Sequence, residues 1–119
     1  MGFDVFPSEA ELLSFFEVAP ETFADLVITY TRVHGGETLY CSFTPEHGDV
    51  DLTLLHGEHK KAALHFSYGQ QVVLHRHPDG RAYLRVTFPA AMRLKDFTLT
   101  LQPEVSFSWG TELDKGDDY

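Results

Sequence analysis

From Leu26 to Trp109 apolar and polar side chains alternate in short runs. A period of two places successive residues on opposite faces of a strand. Leu26, Ile28 and Tyr30 share one face of the first run, and Leu39, Cys41 and Phe43 share one face of the next. Gly35-Gly36 between them suits a two-residue hairpin turn, because both glycines accept positive φ. That turn pairs His34 with Glu37, Tyr30 with Cys41 and Ile28 with Phe43, so the two apolar sets meet on one side. A second hairpin joins Val50, Leu52 and Leu54 to Leu64, Phe66 and Tyr68 across a loop around Gly57, with Leu54 expected opposite Leu64, Leu52 opposite Phe66 and Val50 opposite Tyr68. A third turns at Pro78-Asp79-Gly80, a strong turn signal, and sets Val72 against Val86 and Leu74 against Leu84. Phe97, Leu99 and Leu101, then Val105, Phe107 and Trp109 beyond Pro103, complete the pattern. Trp109 reads as a core or core-edge residue.

The first part of the chain has a different period. Ser8 followed by Glu11 is a capping box, and Leu12 and Phe16, four apart, share a helix face. Ala19-Pro20 closes that segment, since a residue before proline avoids the α region. The expectation is one helix over about residues 8–18, followed by roughly seven or eight mostly antiparallel strands in a meander of hairpins. The helical crossovers of a parallel sheet are missing, so the fold class is α+β, β-rich, a single-domain sandwich or partly open barrel. Pro89 to Met92 suggests one short helical turn. Residues 1–113 form one domain on this reading, and 114–119 a polar tail.

Composition changes the picture in three ways. With 119 residues and ten Phe, the chain can bury a core without staples, and its one cysteine, Cys41, allows no internal disulfide. Cys41 reads as a small buried hydrophobe. The first basic residue is Arg32 and no long apolar run occurs, so a cytoplasmic location is expected. The absence of Asn, with one Ile and four Lys, points weakly to a GC-rich bacterial genome.

Charge is the most distinctive property. The formal net charge is −9, and the acids gather at the two ends of the chain. Asp4, Glu9, Glu11, Glu17, Glu21 and Asp25 precede the first base, while Glu104, Glu112, Asp114, Asp117 and Asp118 surround only Lys115. Such a field repels phosphates and argues against nucleic acid and anionic membrane as partners. It favours a basic protein.

Chemical motifs are sparse. No phosphate-binding glycine loop and no G-x-S-x-G elbow occurs. His56, His59, His65, His75 and His77 crowd the middle of the chain, and His75 and His77, two apart on a strand, project from one face as an imidazole pair on a metal would. Gly69, five residues on, His75-Arg76-His77 resembles the first half of a cupin metal motif over nine residues. The glutamate that motif needs is replaced by Arg81 and Ala82, and no histidine follows His77. The same face carries Arg81, Tyr83 and Arg85, whose cations repel a metal ion.

Three functions are ranked from this. The first is an acidic protein-interaction module, an immunity or antitoxin-type protein that binds and occludes a basic partner such as a bacterial toxin, without cofactor or catalytic residues. Its partner-binding groups are expected to be Glu9, Glu11, Glu17, Glu112, Asp114, Asp117 and Asp118. The second is a small ligand- or metal-binding β protein, enzymes included, using His75 and His77. The third is a structural subunit that self-associates through sheet edges.

Overall fold

The computed structural model of the chain describes residues 2–23, 26–102 and 104–110. The expected helix is there, as α1 (Glu9–Phe16), and its capping box forms in both directions: Glu11 N–H donates to Ser8 Oγ and Ser8 N–H donates to Glu11 Oε1. It ends two residues earlier than expected. Glu17 takes a left-handed conformation (φ 63°) and donates its N–H to Leu13 O, so the chain turns away before Pro20 can stop it.

Nine strands follow among the described residues: β1 (Glu21–Phe23), β2 (Val27–His34), β3 (Glu37–Thr44), β4 (Asp49–His56), β5 (His59–Phe66), β6 (Gln71–Arg76), β7 (Ala82–Thr87), β8 (Phe97–Thr100) and β9 (Ser106–Ser108). They form two open antiparallel meanders, β1-β2-β3-β4-β5 and β6-β7-β8-β9. The strand not foreseen is β1, three residues at a sheet edge, too short to show a period. A turn of 3-10 helix spans Ala90–Met92.

The first and third hairpins take the registers that alternation implies, with Tyr30 opposite Cys41 and Val72 opposite Val86. The second differs by two residues. Leu52 faces Leu64, Leu54 faces Ala62 and Val50 faces Phe66. Gly57 adopts positive φ and makes the turn tight, with His56 paired to His59, and the extra residue, Lys61, is absorbed as a bulge where the register shifts at Leu54/Leu55. A period of two identifies the face of a strand, but a slip of two residues leaves every face unchanged, so only the turn could decide. Tyr68 consequently falls outside β5, at a bend with φ 62°, and is exposed.

The inward faces of both sheets close on one core that includes Leu39, Phe43, Leu52, Leu84, Phe97 and Leu99. Leu12 and Phe16 bring α1 onto it. Phe16 stacks on Tyr30 at 4.4 Å between ring centroids and meets Phe43 edge-on at 6.4 Å. The N-terminal segment ties the sheets together. Phe3 N–H donates to Pro45 O, Val72 N–H donates to Val5 O, and Phe6 packs edge-on against Phe43. Trp109 lies just past β9 and is 55% exposed, so it is not the core residue expected. Phe107, two residues earlier, holds the inward position. The expected tail, 114–119, lies outside the described residues.

Candidate functional site

The ends of several elements meet at one end of the sandwich. There β2 finishes at His34, β3 starts at Glu37, β4 finishes at His56 and β5 starts at His59, all in one row of the sheet. Glu104 and Val105, between β8 and β9, face this row across a cleft of about 330 Å³. Beside it, α1 and the β6–β7 hairpin border an open groove of about 970 Å³. Glu17 belongs to the groove and lies 3.8 Å from Arg32 of the cleft, so the two hollows are neighbours.

The groove carries both signs of charge on a partly apolar floor. Phe15 and Leu74 give it apolar lining, Glu11 and Glu17 border it from α1 and its C-cap, and Arg76 and Arg81 from the β6–β7 hairpin. Both arginines are held by their own turn. Arg76 Nη1 donates to Gly80 O at 2.8 Å, and Arg81 Nε donates to Asp79 Oδ2 at 2.8 Å. The N–H of Arg81 also donates to Asp79, and together these contacts hold the Asp79 carboxyl below its ordinary pKa. Such a trough fits a protein surface with mixed polar groups.

The acids named from the sequence fall into two groups. Glu9, Glu11 and Glu17 are exposed on and just beyond α1. Glu11 is committed to the capping box and Glu17 approaches Arg32 and Gln102, whereas Glu9 has no ion pair among the described residues. Glu112, Asp114, Asp117 and Asp118 lie outside the described residues. His75 and His77 do share a face. Tyr83 sits against both, with ring centroids 5.2 Å from His75 and 4.6 Å from His77. Nε2 of His75 is buried without a partner among the described residues. Among the described residues no group of three or more His, Cys, Asp or Glu is placed to hold a metal ion.

Two arrangements escaped the sequence reading. Arg32 is 8% exposed and faces inward, in phase with Ile28 and Tyr30 and opposite Leu39. The signal was present: alternation puts residue 32 on the core face, where a cation stands out. The other is a hydrogen-bonded chain on the outer face of the first sheet. His65 joins Asp51 through Nδ1 at 2.5 Å and Ser67 through Nε2 at 3.0 Å. This is the connectivity of a Ser-His-Asp relay. The imidazole and the Asp51 carboxylate are more than half exposed, and the chain lies in neither hollow. The β4–β5 register that makes Asp51 and His65 neighbours was the one misread.

Besides Asp79, the groups with displaced titration lie around the core and the cleft. Lys61 Nζ donates to Glu37 Oε2 at 2.7 Å and holds that carboxyl below its ordinary value. Burial pushes the Cys41 thiol far up, and it raises the Tyr30 phenol, with the Glu9 charge adding to the latter. Cys41 is therefore an inert buried thiol, as its strand position suggested.

No known family model matches the sequence, and no curated protein matches it. The fold does match a solved structure. It is similar to a chain of a contact-dependent growth inhibition toxin–immunity protein complex from Klebsiella pneumoniae 342, at 21% identity and a TM-score of 0.83, covering 92% of this chain and 98% of that one.

Proposed function

We propose that this chain is the immunity-type member of a toxin–immunity pair, a cytoplasmic inhibitor that binds a protein toxin and occludes its working surface. The observation that carries this reading is the likeness of nearly the whole fold to a chain of such a complex. That likeness by itself is to one of two partners, and charge supports the choice between them. A net charge of −9 opposes phosphate-bearing substrates and speeds association with a basic toxin. The exposed acids of α1 and the adjoining mixed-charge groove would form part of the contact, with Glu9, Glu11 and Glu17 opposite toxin Arg and Lys.

Co-expression with the toxin domain that this reading requires, sought first in the neighbouring gene, tests the proposal. The expected result is restored growth and a stoichiometric complex that survives moderate salt. Continued toxicity, with no complex between the purified proteins, would overturn it.

A further inference from the structure

Among the described residues Arg32 is the one buried charged side chain, on the core face where the neighbouring strand presents Leu39. A guanidinium stays charged in proteins and carries five N–H donors. Taking it out of water is costly unless an anion with good geometry completes it. The one carboxylate within ion-pair range among the described residues is Glu17, and it completes nothing. Its Oε1 is 3.8 Å away, beyond hydrogen-bond distance, on a side chain 62% exposed. Arg32 lines the cleft of about 330 Å³, with His34 and His56 beside it. Glu37, in the same cleft, is already engaged by Lys61. A nine-tenths buried cation therefore borders a hollow with ample room for a side-chain head group, with its own anion standing off.

We propose that this cleft is a socket for a carboxylate carried by the partner protein, an aspartate or glutamate side chain gripped by the Arg32 fork. The inference rests on the toxin-binding reading and names a contact within it. A carboxylate suits the site better than a phosphate. Glu17 and Glu104 stand at the socket and the whole molecule is acidic, so a dianion is repelled more than a monoanion. The planar fork of an arginine matches a carboxylate bidentately. The Glu17 side chain, exposed and without a short bond to Arg32, gives way when the partner's carboxylate enters. A cationic socket in an acidic surface also sets register. A basic toxin must offer one acid at one place, and a misplaced acid meets repulsion elsewhere.

The test has two arms. In the first, side-chain NMR spectra of the free protein are recorded with added acetate, inorganic phosphate or chloride at matched ionic strength. Acetate is expected to shift the Arg32 Nε resonance saturably, with phosphate weaker and chloride without effect. In the second, Arg32→Met and Arg32→Lys are compared with the native chain for toxin affinity and thermal unfolding. Both are expected to weaken the complex by about 30-fold or more, chiefly through faster dissociation. Arg32→Met should unfold at the same or a higher temperature, because the cation has no close anion to offset its desolvation and an apolar side chain of similar length carries no such cost. Three results would overturn the socket: acetate acting no differently from chloride, phosphate binding more tightly than acetate, or Arg32→Met lowering the unfolding temperature with toxin affinity intact. If the native chain binds no toxin the function itself is refuted, and the acetate arm still decides whether the cleft takes a carboxylate.

Discussion

The Tyr30 hydroxyl is buried with no hydrogen-bond partner among the described residues, under the ring of Phe16. A donor left unmatched away from water costs about 1–3 kcal/mol. Tyr30→Phe removes it and keeps the stack, so the variant is expected to unfold at an equal or higher temperature, and a clear drop would mean that the hydroxyl is bonded. A second prediction at this scale concerns Asp51, His65 and Ser67. Their connectivity is that of a hydrolytic relay, but acyl transfer draws most of its rate from a dry, preorganised site. This relay sits on an open sheet face with its imidazole more than half exposed. A serine-directed fluorophosphonate is therefore expected to leave Ser67 unlabelled. Stoichiometric labelling would establish an activated serine and reopen the hydrolase class. Reading such details needs the register. His65 and Ser67 are visibly two apart in the chain, but Asp51 joins them only through the pairing of β4 with β5.

At the scale of elements, local signals succeeded where a chemical device sits in the sequence itself. Ser8 and Glu11 mark the start of α1 because both halves of the box lie within one turn. Gly35-Gly36 marks the first hairpin because both residues are free to take positive φ, and both do. The failures have physical reasons too. The end of α1 was placed by Pro20, yet Glu17 turns left-handed first, a conformation that non-glycine residues rarely adopt and that propensity does not announce. The loop from β5 to β6 illustrates a third kind of constraint. A Cβ at Gly69 would lie 2.5 Å from the Phe3 ring and 3.0 Å from the Gly48 carbonyl oxygen. Gly69 N–H also donates to that oxygen. Gly69→Ala is expected to cost about 1–3 kcal/mol, as overpacking does. Hydrogen exchange should rise at Phe3 and Val72 as the N-terminal segment loosens, and unchanged exchange there would show that Phe3 merely shifts aside.

For the whole molecule the decisive quantities are the field and the way two sheets meet. The acids of α1 and the mixed-charge groove share one end of the sandwich with the Arg32 cleft. On the proposed toxin-binding function, the field serves encounter and the buried contacts serve residence. Glu9 has no ion pair among the described residues, so it serves as a probe of the field. Glu9→Lys is expected to slow association with the toxin and leave dissociation nearly unchanged. The gap from the native chain should close as ionic strength rises from about 0.05 to 0.5 M, where the Debye length becomes a few ångströms. A deficit independent of salt would place Glu9 in a short-range contact instead.

The amino-acid sequence determined α1 and the described strands other than β1, most of their inward and outward faces, two of three hairpin registers and the acidity, because each depends on neighbours in the chain or on a sum over residues. The tertiary structure decided the rest. It chose the register of the second hairpin, closed Arg32 into the core, joined Asp51 to His65 and Ser67, and brought helix and strand ends from both sheets to one end of the sandwich. Those are relations between residues far apart in sequence. Alternation repeats every two residues and cannot distinguish one in-phase pairing from the next; only the turn and the packing of the two sheets can.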